Sequence, residues 1–309
     1  MARLIEHTME IAENQKKLSL QMSKIKAVVK EAEYYASGKT ITLKAVEKAL
    51  KEKEQRCGLL QKAYLENIKV GCQMIWTKGT KIGEVNALSL IPLSDDTVVK
   101  TPDRVAAETS VRESNEIKLI DSKVKLDGPM SQKAIEILTA NIEGRFGKDR
   151  ILFFKTTLTF EQTYGIEGPS ASLAEAIVIL SSLGNIPIRQ DLAITGTMGV
   201  KGESGVIGGV NHKIEGFFKA CKMRRLTGTQ GVVIPRANRQ HLMLPKEIVE
   251  AVRAGKFHIY QVSNYHEAMW IFSGLTPKQV NERIERALDR YEKVIQKYNQ
   301  AMKGFNNKS

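Results

Sequence analysis

The sequence predicts an α/β (α+β) domain of mixed sheets and helices, preceded by a small all-α helical segment. Three observations carry this expectation. The chain up to about Asn67 contains no proline and is rich in Ala, Leu, Glu, Lys and Gln, residues that favour helix. From about Ile68 the character changes, and glycine and β-branched residues alternate with polar ones. Beyond that point strand-like and helix-like stretches intermingle, as in a mixed domain. The expected organisation is a helical segment over 1–67, a main domain over 68–275, and a C-terminal helix and tail over 276–309.

Taken in order, three helices fit the opening segment. Leu4, Met9 and Ile11 mark the first. Leu20, Met22, Ile25, Val28 and Val29 recur at roughly helical spacing in the second, which closes near Gly38. Thr42 is placed as the N-cap of a third, with Val46, Leu50, Leu59 and Leu60 among its apolar positions. The stretch Ile82 to Leu90 then reads as a strand. A helix from about Ser131 to Phe146 follows, then a strand around Leu152 to Thr159, a helix after Ser170, and a strand around Leu192 to Thr195. Another helix begins near Asn211, followed by strands at Gly231 to Ile234 and Phe257 to Val262. Pro277 opens a last helix on which Val280, Ile284, Leu288, Tyr291, Ile295 and Tyr298 form one apolar stripe, with the tail after Lys303 expected to fray.

The bulk composition narrows the class. Of 309 residues, 42% are apolar and 26% charged, with only 8 prolines, as expected of an ordered globular protein of one large or two medium domains. The longest apolar run, Ala176 to Leu180, is far short of the roughly 20 residues that span a bilayer, and no signal-peptide core follows Met1. The expected setting is cytoplasmic, with no membrane partner. Cys57, Cys72 and Cys221 are widely spaced, which argues against a disulfide framework or a structural zinc site. Neither they nor His7, His241, His258 and His266 show ligand or nucleophile spacing, and structural or surface roles are expected. Forty-seven Lys and Arg against 34 Asp and Glu give a net charge of +13 and a pI near 9.5. That balance suits either DNA binding or a basic, well-solvated surface.

Two segments carry chemistry. Glu167-Gly168-Pro169-Ser170-Ala171-Ser172-Leu173 is a tight turn feeding an almost wholly apolar helix. A serine at that junction sits where helix-terminal amides favour developing negative charge, although Ser is equally a preferred N-cap. A serine nucleophile needs a base within hydrogen-bond reach. Gly208-Gly209-Val210-Asn211-His212-Lys213 offers two, at a glycine turn with Asn211 as the expected cap of a helix whose Val210, Ile214, Phe217 and Cys221 mark the buried face. Lys213 falls in the first turn, at the border of that face. Neutralising an unshifted lysine at pH 7 costs about 4.6 kcal/mol, so this lysine works as a base only if desolvation lowers its pKa. The bland reading is a surface lysine snorkelling along a helix.

Taken together, these segments resemble the paired signatures of the Lon protease family. Gly168-Pro169-Ser170-Ala171 is similar to its nucleophile motif, Asp191-Leu192-Ala193-Ile194-Thr195-Gly196 to the strand that follows, and Gly208 to Lys213 to the segment bearing its lysine. Leu158 to Gln162 and Gly228 to Pro235 resemble the LonB-like branch, in which the peptidase follows an AAA+ ATPase module, and the likeness extends over residues 1 to 275. The resemblance implies a Lon-type proteolytic domain preceded by AAA+ lid-like helices, and a serine endopeptidase acting on polypeptide substrates. It implies Ser170 as nucleophile, Lys213 as general base, Thr195 as the hydroxyl that orients the lysine, and Glu167 as an acidic residue beside the site. It also implies a homo-oligomer, a hexameric ring, and no cofactor held by this chain.

The departure from the family lies in the nucleotide-binding subdomain, which this sequence does not contain. Gly38-Lys39-Thr40 lacks the first glycine of a P-loop, since position 33 is Glu, and it joins two helices instead of following a strand. ATP and Mg then enter only through a separate AAA+ ATPase. An ATP-independent peptidase and a truncated gene product are the other openings. Two different readings stay in play: a non-catalytic Lon-like module binding nucleic acid or a partner, and a Ser-His hydrolase with His212 as base. The second is weakened because a nucleophile elbow wants glycine where Ser172 stands.

Overall fold

A computed structural model of the chain describes residues 1–36, 38, 40–94, 97–120, 129–161 and 168–306. Its opening segment forms four helices among the described residues where the apolar spacing suggested three: α1 (Ala2–Ala12), α2 (Met22–Tyr34), α3 (Leu43–Cys57) and α4 (Leu59–Val70). Thr42 caps α3 as expected, its hydroxyl accepting from the Ala45 amide at 3.3 Å. The expected third helix breaks at Gly58. A Cβ there would stand 2.6 Å from the Glu54 carbonyl, a kink that glycine alone accommodates. Leu20 precedes α2 and is exposed, so the second helix starts later than its apolar spacing suggested. Val28, Ala32, Ala45, Val46 and Ala49 make the small core of α1–α3. The last helix of the four packs elsewhere: Tyr64, Leu65 and Ile68 of α4 share a cluster with Ile75, Val210, Phe217 and Phe257 of the main domain.

The main domain is built on a seven-stranded mixed sheet. After a short strand β1 (Thr80–Lys81) come β2 (Glu84–Ser94), β3 (Thr97–Val111), β4 (Glu116–Leu119) and β5 (Phe154–Phe160). They are followed by β6 (Ile188–Arg189), β7 (Leu192–Ile194), β8 (Thr197–Met198), β9 (Ser204–Gly205), β10 (Gly231–Pro235) and β11 (His258–Val262). Among the described residues the sheet order is β11-β10-β7-β2-β3-β5-β4, with β1 pairing to β6 and β8 to β9 as two small ribbons. The first four strands of that order run parallel and β3 runs antiparallel to both its neighbours.

Both faces of this sheet are covered. On one lie α5 (Pro129–Phe146), α6 (Ser172–Gly184), α9 (Tyr265–Ser273) and α10 (Pro277–Asn306); on the other lie α4, α7 (Val210–Met223) and α8 (Lys246–Arg253). Strand alternation divides the two cores. Leu192, Ile194 and Val233 face the first layer while Ala193, Val232 and Ile234 face the second. The run Ala176 to Leu180 is apolar all round because α6 is buried on every side.

Strand β3 was not anticipated, although it is 15 residues long. Its middle, Thr101 to Val105, is buried without alternation under helices α6 and α7, and Pro102 within the run argues against a strand on sequence grounds. On α10 the apolar stripe holds from Val280 to Ile295, but Tyr298 lies beyond the core and is exposed. The helix continues past Lys303 to Asn306, further than the expected fraying point. Among the described residues no helix is long and apolar enough to cross a membrane.

Candidate active site

Three elements meet where the two informative segments come together. Gly168 takes φ 109° and releases the chain into a short 3-10 turn, Pro169–Ala171, that leads into α6. The Ser172 hydroxyl fixes this turn from inside. It donates to the Pro169 carbonyl at 2.7 Å and accepts from the Met198 amide of β8 at 2.9 Å. The backbone of Ser170 is tied to the end of β7: its carbonyl accepts from the Gly196 amide at 2.8 Å and from the Thr195 hydroxyl at 3.1 Å.

The lysine arrives from the opposite layer of the sheet. Gly209 holds φ 65° as the N-cap of α7, and its carbonyl accepts the Lys213 amide at 3.0 Å, closing the first turn. A Cβ on Gly209 would meet the tip of Leu90 at 2.3 Å, so strand β2 passes directly beneath the turn. Asn211 is not the cap expected of it. Its side chain instead bridges outward, donating to the His241 carbonyl at 2.8 Å and accepting from the Met243 amide at 2.7 Å.

Lys213 is 5% exposed, which removes the surface-lysine reading. Its Nζ lies 2.8 Å from Ser170 Oγ and 3.1 Å from Thr195 Oγ1. Both partners are neutral hydroxyls. Burial pushes the Lys213 pKa down to about 8, because the desolvated ammonium loses more than these hydroxyls return. The hydroxyl of Ser170 is thus engaged by the lysine, and no side-chain cap bonds the start of α6. His212, one residue earlier on α7, lies on the exposed face of that helix. Of the expected site residues, the fold brings Ser170, Lys213 and Thr195 together, whereas Glu167 lies outside the described residues. Ser172 is the group that the residue patterns did not single out; its signal was a second small hydroxyl two positions past the first, at the mouth of an apolar helix.

A second charged cluster is centred two residues further along the same helix. Glu215 Oε1 accepts Lys100 Nζ at 2.5 Å and Lys219 Nζ at 2.6 Å, and Lys219 also reaches Glu54 of α3 at 3.0 Å.

A half-buried hydroxyl bonded to a desolvated amine is an arrangement that can perform acyl transfer: one group attacks a carbonyl while the other carries its proton. Comparison with known proteins gives the family. Residues 1–56 match the LID domain of the archaeal LonB AAA+ ATPase, and residues 160–271 match the C-terminal proteolytic domain of Lon protease (S16). A putative Lon protease homolog of Escherichia coli is 34% identical over 295 residues, covering 92% of this chain and 50% of that protein. Its counterpart in Haemophilus influenzae is 30% identical over 93% of this chain and 48% of its own length. An archaeal Lon protease of Thermococcus kodakarensis is 34% identical over 231 residues, 74% of this chain and 33% of the relative. The chain belongs to the Lon protease family, with a LonB-type lid ahead of a Lon proteolytic domain. It spans about half the length of the first two relatives.

Proposed function

We propose that this chain is a Lon-type serine endopeptidase that hydrolyses unfolded or damaged polypeptides through a Ser170–Lys213 dyad. The observation that carries the reading is the 2.8 Å contact between a 5% exposed lysine and the serine hydroxyl. At pH 7 a lysine with a pKa of about 8 is neutralised at a cost of about 1.4 kcal/mol, against about 4.6 for an unshifted one, so the burial makes the base affordable. In the proposed step neutral Lys213 takes the Ser170 proton while Oγ bonds to the peptide carbonyl carbon. The backbone amides that follow Pro169 in the 3-10 turn, those of Ser170 and Ala171, stabilise the oxyanion. The lysine then returns the proton to the leaving amine as the C–N bond breaks; water, deprotonated by the same lysine, next bonds to the acyl carbon, and the Oγ–C bond breaks as the lysine passes that proton back to Ser170. Thr195 orients the amine, and Glu167 is carried by the family resemblance alone.

The same proposal holds that the chain assembles as a hexameric ring in the cytosol, working without ATP or with a separate AAA+ ATPase subunit. Degradation of casein without ATP by the wild type, and its loss in both Ser170→Ala and Lys213→Ala, is the expected result. Turnover surviving in Ser170→Ala would sink the reading. Activity that appears only on adding an ATPase subunit would select the split-enzyme form. The alternative, a non-catalytic module that binds nucleic acid, rests on the net charge of +13 and predicts DNA binding that weakens steeply with salt in a wild type that cuts nothing.

A further inference from the structure

We propose that Glu13, in the opening helical segment, is a positioning residue that holds the first turn of the Lys213 helix and so makes the placement of the proposed base depend on how that segment is docked. This rests on the dyad reading above for its consequence, but its geometry stands independently.

Glu13 ends α1 in the left-handed region, φ 45° and ψ 43°, a conformation that a non-glycine residue occupies at a cost of about 1 kcal/mol or more. The turn aims its carboxylate across to the main domain, where Oε2 accepts the Gly209 amide at 3.2 Å. Gly209 is the N-cap of α7, and its own carbonyl receives the Lys213 amide. A single residue, Gly209, therefore links the Glu13 carboxylate to the bond that sets the Lys213 turn. A carboxylate at a helix N-terminus satisfies an orphan donor and complements the helix dipole. No acidic residue of α7 itself supplies that in its first turn.

The contact is reinforced on both sides. Two residues on, the Gln15 amide donates to the Gln240 carbonyl at 3.0 Å, and Gln15 Nε2 donates to the Leu242 carbonyl at 2.9 Å. Those carbonyls belong to the stretch that Asn211 grips at His241 and Met243, and that Asn238 ties to Ile207 by bonds of 3.0 and 2.8 Å. The glycine turn 207–209 is thus clamped between the 236–243 stretch and the end of α1. Withdrawal or tilt of the helical segment leaves Gly209 N–H without its acceptor, and the turn that carries Lys213 loosens.

The test uses the full chain and three variants, Glu13→Ala, Glu13→Gln and Ser170→Ala. Hydrogen exchange is followed by mass spectrometry on peptides covering 207–216, with peptide hydrolysis measured in parallel. In Glu13→Ala these amides exchange about tenfold faster, while peptides from α6 keep wild-type rates. Its kcat falls about tenfold with KM within twofold, as expected when a base is misplaced but substrate binding is not. Glu13→Gln, whose amide oxygen still accepts the Gly209 N–H, returns most of both. Wild-type exchange over 207–216 in Glu13→Ala overturns the inference, and so does faster exchange with unchanged kcat. Hydrolysis that persists in Ser170→Ala overturns the dyad reading instead, and leaves the exchange data to decide the role of Glu13.

Discussion

At the scale of single residues the site turns on one desolvated amine. If neutral Lys213 is the base, kcat/KM rises about tenfold per pH unit below about 8 and levels off above it, as a peptide substrate assayed between about pH 6 and 10 would show. An inflection below the ordinary histidine value of 6.5, the direction in which burial and the nearby Lys100 charge push His212, would point to that residue instead. The same shift bears on stability with a definite sign. The folded pKa, about 8, lies below the unfolded value, so the folded state binds fewer protons in between and loses stability as the pH falls through that window. Lys213→Met removes the penalty. It is expected to stabilise the fold by about 3 kcal/mol at pH 7, fading towards pH 10.5, in denaturant titrations that also show an inactive protein. Thr195 supplies the remaining polar contact to the amine. Thr195→Val deletes a buried hydroxyl that bridges Lys213 and the Ser170 carbonyl, and a fall in kcat of about ten- to a hundredfold is expected, with Thr195→Ser close to wild type.

At the scale of elements the serine and lysine are delivered by two helices on opposite faces of one sheet. Their precision depends on the rigidity of α6 and α7. Helix α6 is buried throughout, and Ile177 at its centre is fully enclosed. Ile177→Ala is expected to cost about 2–5 kcal/mol, seen as a lower midpoint in urea. How legible these elements were depended on their surroundings. Helices α6 and α7 were readable because each begins at a glycine turn and carries an unmistakable apolar pattern. Strand β3 was not, because a strand covered on both faces loses its period and Pro102 reads as a breaker. Asn211 was read as a cap from its type and position, whereas Gly209 starts the helix and frees the Asn211 amide to hold a neighbouring stretch.

Across the whole molecule the helical segment and the α/β domain are joined by more than chain connectivity. Helix α4 contributes Ile68 to the main core; Gln61 pairs with the Lys100 backbone at 3.1 and 2.7 Å; and Arg224 Nη2 donates to the Ile68 carbonyl at 2.9 Å at the end of that helix. Removal of residues 1–57 is therefore expected to leave a cooperatively folded domain. Removal of residues 1–70 is expected to cost roughly 3–5 kcal/mol through loss of the α4 side chains, lowering the midpoint in thermal melts followed by circular dichroism. Equal melting of the two truncations would show that α4 contributes nothing to the core.

The sequence by itself determined the mixed α/β class with its helical prelude and the family, because apolar patterns and motif segments are local signals, and through that family likeness it brought forward Ser170 and Lys213 as candidates. Only the tertiary structure decided that Lys213 is dehydrated, that the Ser170 hydroxyl meets the lysine instead of capping a helix, and that Glu13 reaches Gly209. The physical reason is that a pKa and a hydrogen-bond partner depend on what is packed around a group. Here those neighbours come from residues 18, 43 and 196 positions away in the chain, distances over which no periodicity speaks.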